Sequence, residues 1–198
     1  MVEATRASLL IRLRDAHDTD AWDQFAEVYS PLIFEFGRRG GMQDSDAADL
    51  VQEVMREVAG SIKRFDYDPS VGRFRSWLYK IAKRTSGHLR RRQARQPRGT
   101  GDSGAVEQLN EVADSRNALE ESWNQQYERQ LLAWAANKVR DDFQDTTWKA
   151  FWMTAVEGEQ AANVAERLGI SVGSVYVAKN RVIKKLRLKI REIDDSEW

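Results

Sequence analysis

RFRSWLYKIAKRTSGHLRRRQARQPR, residues 73–98, holds Arg73, Arg75, Lys80, Lys83, Arg84, Arg90, Arg91, Arg92, Arg95 and Arg98 and no Asp or Glu. In a chain of zero formal net charge this segment is strongly polarised. Its first part is also periodic: Phe74, Trp77, Leu78, Ile81, Ala82, Thr85 and Leu89 recur at three- and four-residue spacing, which predicts an amphipathic helix with one buried face. The opposite face, with Tyr79, Lys80, Lys83, Arg90 and Arg91, is expected to meet solvent or a polyanion. A solvated, Arg-rich helix end is the plainer alternative. Cations without interleaved acids repel one another unless something negative lies opposite, and nucleic acid is the commonest such partner.

Outward from this stretch, 198 residues suffice for one medium domain or two small ones. Seven tryptophans suggest small cores filled by large side chains. Without cysteine there is no disulfide and no thiolate metal site, which fits a reducing cytoplasm. MVEATRASLL lacks a cationic segment followed by an apolar one, and no window approaches the ~20 apolar residues of a membrane span. The chain is therefore expected to be cytoplasmic, with no membrane insertion. Charge is segregated: Asp102, Glu107, Glu111, Asp114, Glu120, Glu121 and Glu128 make the middle acidic between two basic flanks.

In chain order, residues 5–15 predict a short helix with Leu9, Leu10 and Leu13 on one side. A second helix starts at Thr19 or Asp20 as cap and runs through Trp22, Phe25, Val28, Tyr29, Leu32, Ile33 and Phe36, with a kink or break expected at Pro31 and a stop at Gly40 and Gly41. Ser45 is the expected cap of a third, whose inner stripe is Ala47, Leu50, Val51, Val54, Met55, Val58, Ile62 and Phe65 and whose outer face shows Asp49, Gln52, Glu53, Arg56 and Glu57. DYDPSVGR, residues 66–73, is a loop, and the basic helix follows.

Between Gln96 and Ser115 periodicity vanishes while Pro97, Gly99, Gly101, Ser103 and Gly104 accumulate, which marks a domain boundary. Helical pattern returns with Leu119, Trp123, Tyr127, Leu131, Trp134, Ala135 and Val139, then with Trp148, Phe151, Trp152 and Ala155. Gln160 to Leu168 forms another helix, Gly169, Ile170 and Ser171 a turn, and a last helix from Val172 to about Arg191 carries Val175, Val182, Ile183, Leu186 and Ile190. No strand is expected, so the fold class is all-α: two small helical domains, residues 1–96 and 117–198, joined by a flexible linker at 97–116. Helix, short turn at a glycine, helix is the helix-turn-helix pattern, whose second helix enters the major groove; an ordinary αα-hairpin is the alternative.

DAADLVQEVMREVAGSIKRFD at 46–66 and FRSWLYKIAKRTSGHLRRR at 74–92 together resemble the second region of bacterial RNA polymerase sigma factors. NVAERLGISVGSVYVAKNRVIKKLR at 163–187 resembles their fourth region, and with only these modules the chain is similar to the extracytoplasmic-function (ECF) group. The resemblance implies that Asp49, Gln52, Glu53 and Arg56 bind core RNA polymerase. It implies that Tyr67, Asp68, Ser70, Arg73, Lys80, Lys83, Arg84, Arg90 and Arg91 hold the opened strand of the minus 10 element. Ser174, Tyr176, Val177, Asn180, Arg181, Lys184 and Lys185 would meet the minus 35 duplex, where Arg can pair with guanine and Asn with adenine. It adds an anti-sigma protein as a further partner, with no catalytic residue, metal or cofactor.

Many relatives carry Arg, Ser, Arg and Leu where Tyr176, Val177, Ala178 and Lys179 stand, which weakens guanine readout; Lys179 also falls on the expected inner stripe, so either it snorkels along the core edge or the helix is rotated from that stripe. Two other functions compete. A stand-alone helix-turn-helix repressor would leave the basic helix without a role. A metal-dependent nuclease would use Asp44, Asp46, Asp49 and Glu53, yet His17 and His88 are isolated and no metal-ligand spacing is present.

Overall fold

The computed structural model describes residues 7–65, 74–95 and 113–194, and among them every regular element is helical. The elements are α1 (Ala7–Arg12), α2 (Thr19–Arg39), α3 (Asp44–Ser61), a 3-10 turn (Ile62–Arg64), α4 (Phe74–Arg95), α5 (Ala113–Val139), a second 3-10 turn (Arg140–Asp142), α6 (Asp145–Ala155), α7 (Ala161–Leu168) and α8 (Val172–Ile190). They form two compact units that divide between Gln130 and Leu131, inside α5. The sequence places its boundary earlier, at 97–116, a stretch of which only 113–116 are described, as the start of α5.

In the first unit α3 packs between α2 and α4. The start of α2 is fixed by charge and by a cap. Asp18, one residue before the expected caps, accepts from the Ala21 amide at 3.0 Å and holds the Arg12 guanidinium through both oxygens, at 2.7 and 2.8 Å. The Arg12 hydrogen bond is the main reason the Asp18 carboxyl titrates below its ordinary range. α2 then runs unbroken through Pro31 to Arg39, where a break had been one expectation. Pro31 is exposed, so its ring, and the gap left by its missing N–H, lie on the solvent side of the helix. α3 begins at Asp44 with Gln43 before it and no side-chain cap, so Ser45 is inside the helix instead of capping it. Gly37 lets α2 and α3 approach closely, since a Cβ there would lie 3.2 Å from the Ala47 Cβ and 3.1 Å from Leu50 Cδ2.

Aromatic rings fill much of this core. Phe74, at the start of α4, is fully buried with its centroid 5.9 Å from Phe25, 5.8 Å from Tyr29, 5.6 Å from Phe65 and 5.2 Å from Trp77. A second cluster joins Phe36, Tyr79 and Trp123 at 5.5–5.8 Å. The early part of α5 thus packs into the first unit, with Tyr127 stacked on Tyr29 at 5.5 Å and Arg39 hydrogen-bonded to Ser122 and Gln126.

The second unit centres on α6, α7 and α8, which meet through Ala150, Met153, Val164, Ala165, Val175 and Ala178, with Ala161, Leu168 and Ile170 packed alongside. α7 ends at Gly169 in the left-handed conformation (φ 64°, ψ 34°), and its N–H closes onto the Ala165 and Glu166 carbonyls. Ser171 caps α8 by accepting from the Ser174 amide at 3.0 Å. Among the described residues nothing lies within 4 Å of where a Gly169 Cβ would stand, so substitution there costs backbone strain alone. Gly169→Ala is expected to lower the stability of this unit by about 1 kcal/mol, read as a reduced urea midpoint at unchanged slope.

Candidate nucleic-acid interface

The face α4 offers to an outside partner depends on which of its cations the first unit has already engaged. Phe74, Leu78, Ile81, Ala82 and Thr85 point inward. At helical spacing, Lys80, Lys83, Arg84 and Arg91 then share the opposite side, with Lys80, Arg84 and Arg91 exposed and Lys83 half-buried. Two side chains are not where periodicity puts them. Tyr79 is buried against Phe36 and Trp123, and Arg90 is half-buried with its guanidinium donating to the Gly40 carbonyl. The reason is a second covered flank: α5 and the end of α2 pack on α4 beside its main stripe. Arg75, one of the cations of the opening stretch, is 1% exposed with its guanidinium 4.4 Å from the Tyr127 ring centroid. Sequence spacing alone assigns α4 one buried stripe; Trp123 and Tyr127, one turn apart on α5, are the signal for the other.

Part of the outward face is also paired. Arg84 forms an ion pair with Glu57 of α3, and Thr85 Oγ1 lies 3.3 Å from the other Glu57 oxygen. Lys83 sits 5.9 Å from the Tyr79 ring centroid. The remaining minus 10 candidates, Tyr67, Asp68, Ser70 and Arg73, lie outside the described residues.

On α3, Asp49, Gln52 and Arg56 are exposed and Glu53 is half-buried, all on the side away from Leu50, Val54 and Val58. Glu53 and Arg56 form an ion pair at 2.6 Å. Asp44 is held by Arg38 at 2.9 Å, and no three His, Asp or Glu side chains converge as a metal site among the described residues.

In the second unit, Val175, Ala178, Val182, Leu186 and Ile190 turn inward. Ser174, Tyr176, Val177, Asn180, Arg181, Lys184 and Lys185 are all exposed, so every minus 35 candidate lies on the accessible side of the second helix of a helix-turn-helix. Lys185 pairs with Asp142 at 3.0 Å, and Ser174 Oγ is 2.8 Å from Ser171 Oγ. Ala178, not Lys179, occupies the inner position; the helix is rotated from the expected stripe, and Lys179 stays at the half-buried edge.

A helical bundle with a cationic face, followed by a helix-turn-helix unit, defines an all-α protein of the helix-turn-helix class. Residues 25–96 match the family described as sigma-70 region 2. Residues 25–96 of the first unit thus carry the sigma-70 region 2 pattern, and the helix-turn-helix follows it later in the chain. Among solved structures, that of CnrH in complex with the cytosolic domain of CnrY is similar at 20% identity, over 96% of this chain and 97% of that one, with a TM-score of 0.37. No curated protein matches the chain significantly. No helix among the described residues is long and apolar enough to cross a membrane.

The Tyr79 hydroxyl is buried with no hydrogen-bond partner among the described residues. Burial first, and then the negative charge of Glu120, raise its pKa above the ordinary 10.0. A folded pKa above the unfolded one contributes stability that is fully present below pH 10.0 and is lost as pH rises through the folded value. Tyr79→Phe is expected to unfold at equal or higher denaturant than the parent at neutral pH, by about 1 kcal/mol. Its advantage should widen above pH 10.0, because the parent alone loses stability there.

Proposed function

We propose that the chain directs core RNA polymerase to particular promoters through three separate surfaces. The exposed face of α3, with Asp49, Gln52, Glu53 and Arg56, docks on the polymerase. Its charges are accessible, and their arrangement follows the family's contact helix. Tyr67, Asp68, Ser70 and Arg73 take the opened strand of the minus 10 element, while Lys80, Lys83, Arg84, Arg90 and Arg91 supply phosphate contacts along α4. The buried Tyr79 and the engagement of Arg84 and Arg90 leave Lys80 and Arg91 as the most available of these cations. α8 reads the minus 35 duplex through Tyr176, Val177, Asn180 and Arg181, with Ser174, Lys184 and Lys185 on phosphates.

The observation that carries this reading is the match to sigma-70 region 2 at residues 25–96 in one chain with a helix-turn-helix whose second helix exposes all of its reading positions. A repressor working alone has no use for region 2. In functional terms the division is residues 1–96 for polymerase and minus 10 binding, 97–116 as linker and 117–198 for minus 35 binding. The chain acts in the cytoplasm on promoter DNA, with catalysis left to the polymerase. An anti-sigma protein is a further partner on the strength of the family resemblance.

Run-off transcription with core polymerase and this chain on genomic promoter fragments tests the assignment. Arg181→Ala is expected to redistribute initiation among promoters, with about tenfold weaker use of those that depend on the pair it contacts. Asp49→Asn with Glu53→Gln is expected to weaken core affinity while promoter preference stays as it was. Normal core affinity and an unchanged promoter set in both variants would sink these roles.

A further inference from the structure

The outward side of α8 is not made only of charge. Opposite Val175, Ala178 and Val182, helical spacing places Gly173, Val177, Asn180 and Lys184 in one row, with Tyr176 and Arg181 beside it. Val177 is 58% exposed, Tyr176 56% and Val172 42%, so large apolar side chains cluster in the first two turns of the helix. A lone exposed hydrophobic residue is ordinary. A cluster at the mouth of a helix-turn-helix is different, because a β-branched valine there gains nothing from burial and is a weak helix former.

Gly173 supplies a second, independent observation. It lies in the first turn of α8, where glycine costs helix stability relative to alanine. Yet a Cβ at Gly173 would meet only Ser171 Oγ, at 3.8 Å, which is ordinary van der Waals contact. Nothing among the described residues of the unit requires the missing side chain. Its absence leaves the helix backbone bare on the same row as Val177, open to close approach by a surface from outside.

The chemistry of that surface follows from the row. Valine neither donates nor accepts a hydrogen bond, and the one apolar group displayed by base pairs in the major groove is the thymine 5-methyl. Asparagine, one turn further on, matches the N6 and N7 edge of adenine. Exposed Lys184 and Lys185 add the charge complementarity that a duplex needs. We propose that α8 reads adjacent A·T pairs in duplex DNA, with Val177 packed on a thymine methyl, Asn180 paired with an adenine, and Gly173 admitting the groove edge to the helix backbone. This rests on the assignment of α8 as the duplex-reading helix and adds to it the class of base.

The test uses core polymerase carrying the full chain and a pool of duplexes randomised across the upstream element. Retained DNA is sequenced, and the most enriched duplex is remade with deoxyuridine replacing thymidine one position at a time. Adjacent A·T pairs should be enriched. One position should lose about fourfold in affinity on removal of the methyl, the effect of one buried methyl group, and Val177→Ala should abolish that difference. Gly173→Ala should raise the melting temperature while weakening binding to the same duplex; unweakened binding overturns the role given to Gly173. An enriched element without adjacent A·T pairs, or tolerance of deoxyuridine at every position, overturns the base-class proposal and leaves duplex reading by α8 standing. Absence of any enriched upstream element, together with an unaltered promoter set for Arg181→Ala, overturns both.

Discussion

Because Phe74 lies fully buried among Phe25, Tyr29, Phe65 and Trp77, the start of α4 has little freedom to rotate about its own axis. Edge-to-face and tilted ring pairs of this kind contribute about 0.5–1.5 kcal/mol each beyond their burial, and their geometry is directional where aliphatic packing is not. Fixing Phe74 fixes Leu78, Ile81, Ala82 and Thr85 on the same inner side. It therefore also decides which cations of the helix can face outward. The basic character of the segment is compositional, but the surface on which that charge is displayed is set by one aromatic side chain.

The cations of α4 divide by what surrounds them. Arg75 is enclosed, and a guanidinium is the cation best suited to enclosure beneath an aromatic ring because it is planar and weakly hydrated. Truncating one partner in such an environment costs far more than breaking an exposed pair. The Arg84–Glu57 pair is more exposed and contributes at most about 1 kcal/mol, so it sets direction more than stability. Burial lowers the pKa of Arg90 from its ordinary value, a direction that its bond to the Gly40 carbonyl does not reverse, yet an arginine remains charged across the physiological range. Charge density counted along the sequence therefore overstates what α4 can present to a polyanion.

Elements with a single buried stripe were legible from the sequence. Leu50, Val54 and Val58 on α3, Val164 and Ala165 on α7, and Val175, Val182 and Leu186 on α8 all lie inward as their spacing implies, and the turn at Gly169 stands where turn chemistry puts it. Tyr79 and Arg75 were not legible, because their cover comes from Trp123 and Tyr127, more than forty residues away along the chain. Local periodicity carries no record of which distant segment returns to pack. The caps of α2 and α3 were each misplaced by a residue or two for a related reason: Asp18 is selected by its partner Arg12, and α3 starts without any side-chain cap. Among site residues, those on the outer faces of α3 and α8 were readable as exposed, since there exposure is simply the complement of a clear inner stripe.

α8 shows what such a complement can contain. Its inner row holds Val175, Ala178, Val182, Leu186 and Ile190, as helix packing requires, while its outer row breaks the usual rule for a solvated face by including Gly173 and Val177. Sequences agree with their fold at most levels, and local disagreements concentrate where a surface answers to something other than folding. On α3 the outer residues are acidic, basic or amide, and stability in water accounts for them without a partner. On α8 it does not, because glycine weakens the first turn and valine gains nothing in solvent. Within the helix-turn-helix, charge from Lys184 and Lys185 accounts for attraction to DNA of any sequence. The bare backbone and the apolar side chains are the features that can distinguish one groove from another.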